Sequence, residues 1–424
     1  MQVIENLKVK EKVYIEKLKN GLTVMIIPKK GIQKKYIIWG THYGSNDSKF
    51  IVPGESEVTE VPKGVAHFLE HKMFEQENGR NSLDVLSSLG VNANAFTTNT
   101  HTAYLYEATD NFYEALDEFM DYVQHPYFTD ENVEKEKGII GQEIMMYDDY
   151  PEWKVYLNAL EAMYHNHPVK LDITGTIETI SHIDKDVLYK CYNTFYNPSN
   201  MCLVVCGDFE PEEILKQIEK RLIEKKPEGE IKRIYEQEEE TIVKPNVESK
   251  MEVSIPLFAL GIKCIAPKQK EKVKTHIAID ILLNMIAGES SKLYQDLYKS
   301  GVILNMPSFE YEFTDDYAHI LVSGASREPE KFFDEFNKEI QTYIENGINE
   351  EDFARTKKMI YGEYVKEYND VANISRMFLN DFMRGINSFD YLEEITSLDI
   401  DYAKQILVDN FKKDKMVFSV VKND

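Results

Sequence analysis

The chain is poor in cysteine, with four in 424 residues, and none of them forms a C-x-x-C pair. That argues against a disulfide framework, and Cys191, Cys202, Cys206 and Cys264 are expected to be free thiols of a reducing cytosol. No run of about 18 apolar residues occurs, so no membrane-spanning helix is expected. The opening Met-Gln-Val-Ile-Glu-Asn-Leu-Lys lacks a basic stretch followed by an apolar one, so no secretory leader is expected and the location reads as cytoplasmic. Positive charge is scarce too: 49 basic against 73 acidic residues give a formal charge of −24. Neither nucleic acid nor an anionic membrane is therefore an expected partner. The balance favours basic peptides, although most of the charge solvates helices. Aromatics are plentiful, with 26 Tyr and 21 Phe. A chain of this length can build two cores of about 200 residues each.

The residues of chemical interest gather between Gly64 and Glu75. At about 100° per helical residue, His67, Glu70, His71 and Phe74 share one arc, and Val65, Phe68, Leu69 and Met73 form a core-facing stripe. Imidazoles at i and i+4 stand about 5–6 Å apart at Cβ, close enough for both to reach one Zn²⁺. Glu70 shares that face and is placed to take a proton from metal-bound water. His67-x-x-Glu70-His71 is the signature of the inverted zincins. A catalytic zinc takes three protein donors and a water, so a third donor is needed. A helix expected from Asp130 offers Glu136 and Glu143, about 10.5 Å apart along its axis, too far for one ion to take both. Spacing does not choose between them, and Asp148 and Asp149 are further carboxylates. His165-Asn166-His167-Pro168 reads as an exposed polar loop rather than a second metal pair.

Alternating runs at 13–18, 22–28, 35–41, 92–97, 102–108 and 201–206 read as strands, the first two joined through Asn20-Gly21. Stretches 82–90, 111–123 and 130–147 read as helices. The second half repeats the first weakly: 349–363 aligns with 129–143 at a constant offset of 220 (353 − 133), and 416–421 echoes 201–206. The expected class is α+β, with two homologous domains, each a mainly antiparallel sheet covered by helices on one face. The expected boundaries are 1–223 with the metal motif, a charged linker over 224–250, and 251–424 without the motif.

His67-Phe68-Leu69-Glu70-His71, Asn94-Ala95-Phe96-Thr97, Glu136 and Glu143, with the segment from Leu18 to Val24, resemble the insulinase/pitrilysin family of zinc peptidases. The likeness is greatest to its half-length cytosolic members from Gram-positive bacteria, which occur as paired subunits. The resemblance implies that Glu143, 72 residues beyond His71 (143 − 71), is the third zinc ligand and that Glu136 orients the site. It implies that a peptide adds as a strand beside Asn94 and Ala95, which offer polar and main-chain groups, with Phe96 lining the pocket past the scissile bond. It also implies an Arg and a Tyr, seven residues apart, that steady the substrate carbonyl. The corresponding positions hold Tyr298 and Asn305. Loss of such a donor costs about 10²–10³ in rate.

The expectation is a zinc endopeptidase that cleaves unstructured peptides in a chamber of two subunits, with Glu70 as general base. A homologous partner, or a second copy of the chain, would complete the site. A reading of another class is a non-proteolytic assembly or modification-pathway subunit with a relict site, against which the intact motif weighs. A purely structural zinc domain is disfavoured, because such sites favour closed, cysteine-rich coordination.

Overall fold

Turn residues and alternating apolar residues set the element order, which a computed structural model describes for residues 1–226 and 229–423. Pro227 and Glu228, inside the expected linker, lie outside the described residues. The chain opens with β1 (Gln2–Asn6), β2 (Glu11–Lys17), β3 (Thr23–Pro28), β4 (Lys35–Thr41), β5 (Lys49–Ile51) and β6 (Thr59–Glu60). Helices α1 (Val65–Lys72) and α2 (Ser82–Ser88) lead to β7 (Asn92–Thr97) and β8 (Thr102–Ala108). Then come α3 (Phe112–Gln124), α4 (Asp130–Asp148), α5 (Pro151–Met163), α6 (Ile177–Ser181), α7 (Lys185–Phe195), β9 (Met201–Gly207) and α8 (Pro211–Glu219). The short β10 (Lys232–Arg233) precedes β11 (Asn246–Lys250), β12 (Leu257–Cys264), α9 (Lys272–Ala287) and α10 (Lys292–Lys299). Last are β13 (Ser308–Phe313), β14 (Ala318–Ala325), α11 (Pro329–Asn346), α12 (Glu350–Glu367), α13 (Val371–Met383), α14 (Asp390–Ser397), α15 (Ile400–Asn410) and β15 (Met416–Lys422).

The first compact unit comprises Met1–Ile144, Asp172–Tyr235 and Glu367–Ser388. Its sheet runs β1-β2-β3-β9-β4-β8-β7, antiparallel except for the parallel β3–β9 pair. The second unit comprises Met145–Leu171, Glu236–Lys366 and Phe389–Asp424, with a sheet ordered β11-β15-β12-β14-β13 in which β11–β15 is parallel. The last five strands of the first sheet and the five of the second thus share one order and one parallel pair. The α+β class and the internal repeat both follow from this correspondence.

The units do not follow the contiguous 1–223 and 251–424 division. Helix α5 of the first half belongs to the second unit, and α13 of the second half to the first. A glycine in the middle of a central strand explains each placement. A Cβ on Gly40 of β4 would stand 2.8 Å from the Leu379 side chain of α13 and 3.0 Å from Met383. A Cβ on Gly261 of β12 would stand 2.8 Å from the Met163 sulfur of α5. Each sheet is notched for a helix on the face its other helices leave bare. The expected linker is also partly structured, since β10 pairs with β5 and β11 forms an edge of the second sheet.

On the principal face of the first sheet, α1, α3 and α7 pack over Ile37, Trp39, Tyr104, Tyr106 and Val205. Ala93 and Ala95 of β7 pack against this core, so the alternate residues Asn94 and Phe96 belong to the face that carries α13. Elsewhere, the loop His165–His167 is not the exposed polar segment expected. Its three successive amides donate to the Glu238 carboxylate at 2.8, 2.7 and 2.7 Å, and the His167 ring is buried 4.5 Å from that of Tyr317. Among the described residues, no helix is long and apolar enough to cross a membrane.

Candidate metal centre

Helix α1 starts at Gly64, whose φ of +90° and approach to the Thr174 carbonyl, 2.5 Å from where a Cβ would sit, both require glycine. Val65, Phe68, Leu69 and Met73 are buried in the principal core. Phe74 departs from expectation. The helix ends at Lys72, so the helical period no longer applies, and the Phe74 ring packs 5.9 Å from Tyr104 and 5.2 Å from Tyr122. It belongs to the core and not to the site.

The rings of His67 and His71 lie 4.6 Å apart, centroid to centroid. Their Nε2 atoms stand 3.7 and 3.5 Å from the same oxygen, Oε2 of Glu143 on α4. These donor atoms all lie within 4.8 Å of one another, the only such group of three among the described residues. Glu143 Oε2 is buried and makes no hydrogen bond. Two metal bonds of about 2.0–2.1 Å at a tetrahedral angle separate their donors by about 3.3–3.4 Å, and the two distances to Glu143 are close to that spacing, so the donors fit one ion. Asp148 and Asp149, exposed at the end of α4, are not brought in.

Glu136 sits on the other side of His71. Its Oε1 lies 3.1 Å from Nδ1, and its Oε2 accepts from the Lys72 ammonium at 3.2 Å. Lys72 is fully buried and also pairs with Glu75. Sequence reasoning missed this lysine, although its position was the clue: it falls seven residues after Val65, on the apolar stripe, where a charge needs a buried counter-charge. Thr97 was likewise given no role. Its hydroxyl donates to Glu70 Oε2 at 2.6 Å and lies 3.2 Å from the Thr102 hydroxyl, which donates to the Tyr43 carbonyl at 2.9 Å.

Burial, with the neighbouring His71 charge, pushes the His67 imidazole down to about 3, so it is neutral and offers a free lone pair. Burial lowers His71 as well, but the Glu136 hydrogen bond and the charges of Glu70, Glu136 and Glu143 outweigh it and leave it raised. Burial raises Glu70 against the opposing hydrogen bond from Thr97, and burial also raises Glu143. Glu136 is lowered: burial opposes its charge, but His71 and Lys72 together prevail.

Of the residues expected to meet substrate, Ala95 has its N–H taken by the Asn94 side chain at 2.9 Å rather than by the ladder to β8. Strand β7 is the free edge of its sheet, so that donor faces outward. Phe96 lies on the α13 face, with the His101 ring edge-on at 5.7 Å. In the second unit, α9 carries His276 and Asp280 at i and i+4, but among the described residues no third donor converges there. Asp280, raised by burial to about 7, instead accepts from the Tyr364 hydroxyl at 3.4 Å.

A paired-histidine helix joined by a carboxylate from a second helix, on one half of a duplicated α+β chain, defines a class of metallopeptidase-like proteins. The comparisons with known proteins agree. Residues 52–177 match the family model for insulinase (peptidase family M16), and residues 182–360 that for the M16 inactive domain. The chain is 39% identical over 419 residues to YmfH of Bacillus subtilis, an uncharacterized zinc protease, covering 97% of both chains. A crystal structure of an M16-like protein from Alicyclobacillus acidocaldarius superposes with a TM-score of 0.94 at 32% identity, covering 99% of this chain and all of that one. The periplasmic protease PqqL of Escherichia coli shares the fold at a TM-score of 0.76 and 17% identity, and this chain spans 48% of its length. The chain belongs to the insulinase family, peptidase family M16.

Proposed function

We propose that this chain is a zinc-dependent endopeptidase for unstructured peptides, acting in a chamber completed by a second, homologous subunit in the cytoplasm. The observation that carries the reading is the convergence of His67, His71 and Glu143 on one point, with Glu70 beside it and hydrogen-bonded to Thr97. Zinc bound there would polarise the scissile carbonyl and acidify the attacking water. Glu70 keeps Oε2 on Thr97, takes the water proton on its other oxygen and passes it to the departing amine. Glu136 holds His71 by Nδ1, which leaves Nε2 towards Glu143 where zinc would bind, and Lys72 secures Glu136. The outward N–H of Ala95 gives an extended peptide its first main-chain hydrogen bond once Asn94 swings away.

The need for a partner rests on Tyr298 and Asn305. Tyr298 is exposed on α10 and stacks on Tyr294 with centroids 5.6 Å apart, and Asn305 is exposed too. Tyr298 does not supply the arginine, nor Asn305 the tyrosine, that the family resemblance leads one to expect at these positions.

The test is cleavage of a quenched, unstructured peptide by the purified chain, with zinc content measured in the same sample. Turnover abolished by a chelator and restored by zinc is the expected result, slow for the chain alone and faster with its homologue. Zinc at one per chain with no turnover under either condition would favour the non-proteolytic assembly role. No zinc would overturn the reading.

Lys72→Met keeps the length of the side chain but removes the cation from Glu136. It is expected to weaken zinc binding about 10–100-fold, read by competition with a chromophoric chelator.

A further inference from the structure

The free edge of the first sheet is flanked by an arginine that the peptidase reading does not use. Arg376 projects from α13, on the face opposite the metal helix, and its guanidinium lies 5.6 Å from the centroid of the Phe96 ring and 6.0 Å from that of Tyr36. Its Nε donates to the Tyr36 hydroxyl at 2.9 Å. This hydrogen bond and the two neighbouring rings restrain the guanidinium, and among the described residues its terminal Nη groups make no hydrogen bond. Arg376 is exposed and has no carboxylate partner among the described residues, in a chain with a formal charge of −24. Preorganisation lowers the entropy lost when a ligand binds such a group.

A peptide added to β7 presents alternate side chains to the two faces of the sheet. Those on one face lie towards α1 and the metal donors. Those on the other pass Asn94 and Phe96 and come within reach of Arg376. Given the strand-addition reading above, on which this rests, we infer that Arg376 is a specificity-determining residue that selects peptides with an acidic side chain at one position on the α13 face. The Nη groups form a planar fork that donates two parallel hydrogen bonds to a carboxylate, while a lysine at that position would meet a like charge. The overall acidity of the chain favours basic peptides in general. Arg376 inverts that preference locally, so the preferred peptide is mixed in charge, with its acid in one register.

The experiment uses the full chain with Glu70→Gln, so that binding is read without turnover, and labelled unstructured peptides that differ only by Glu or Lys at one position, scanned along the sequence. Fluorescence anisotropy should show the Glu peptide bound about tenfold more tightly at one position, with the difference shrinking as salt is raised. Adding Arg376→Glu should reverse the order at that position. Arg376→Gln, which still donates to Tyr36, should abolish the preference without reversing it. In the active enzyme, mapped cleavage products should place glutamate at a fixed distance from the scissile bond, and moving it by one residue should remove the effect. Equal binding of Glu and Lys peptides, or a preference that survives Arg376→Glu, would overturn the inference while leaving the peptidase reading intact. Failure to bind either peptide would instead remove strand addition itself, and this inference with it.

Discussion

Glu70→Gln in the zinc-loaded protein is expected to lose about 10²–10⁴ in kcat while still holding one zinc per chain and binding peptide with little change in affinity. The side chain is isosteric, and its amide oxygen still accepts the hydrogen bond that Thr97 gives at 2.6 Å, so the local structure is preserved. What disappears is the carboxylate on the metal-facing side of α1 that Thr97 holds in place and that is neither one of the three clustered donors nor bound to Lys72. Glu143 faces the two Nε2 atoms, and Glu136 is committed to His71 and Lys72. A neutral amide in place of Glu70 cannot accept the proton, and no neighbour inherits the task. Zinc content by metal analysis, with steady-state rates on the same sample, checks the expectation. A variant that loses its zinc would make Glu70 a ligand rather than a base, and one that keeps full activity would remove it from the mechanism.

How much of this was legible in the sequence depends on how local the determining interactions are. Helix α1, strands β7 and β8, and the carboxylates of α4 could be read because their periodicity is carried by consecutive residues. Strand β4 was placed at Lys35–Thr41 for the same reason. The exchange of α5 and α13 between the two units was not legible. Its determinants are Gly40 and Gly261, each a single residue in a strand, and their meaning depends on helix residues far away in sequence, 339 positions (379 − 40) and 98 positions (261 − 163). At the metal centre, spacing could not separate Glu136 from Glu143. Three-dimensional placement sets them apart, because one carboxylate reaches Nδ1 of His71 and the other reaches Nε2. Phe74 was misplaced because a 3.6-residue period was extended past the point where the helix stops. Lys72 was passed over as a charge on an otherwise apolar stripe. Burial turned what read as an exception into the counter-ion of the site.

The segment after residue 228 shows the same lesson with a larger energetic consequence. It read as linker because it is charged, yet Arg233 belongs to the first unit and is bonded within it. Its Nε donates to Asp47 at 3.1 Å, it hydrogen-bonds the His42 carbonyl, and it lies 5.8 Å from the Phe195 ring centroid. Asp47 is buried and also accepts from the Tyr235 hydroxyl at 2.8 Å and the Gly44 amide at 3.0 Å. Burial nonetheless leaves the Asp47 carboxyl raised, against the pull of Arg233. Arg233→Ala removes the cation and leaves a buried carboxylate without its counter-charge, which costs about 3–5 kcal/mol. At about 2–4 °C per kcal/mol, the melting point of this unit should fall by about 6–20 °C.

The sign of the pH dependence follows from the raised carboxyl. The folded state holds its proton more tightly than the unfolded chain, so stability falls as pH rises from the unfolded value of about 3.9 towards the raised folded value. Without Arg233 that window widens upward, and the gap between variant and native protein should narrow as pH is lowered. Adding Asp47→Asn keeps the acceptor but removes the charge, and should recover part of the loss. A double mutant as unstable as the sum of the two single ones would mean that Arg233 acts by packing on Phe195 and not by its charge. Calorimetric melting of the four proteins at two pH values distinguishes these outcomes. If the charge carries the effect, the stretch that reads as the most dispensable in the chain is what fastens the Asp47 loop of the unit that bears the candidate metal centre.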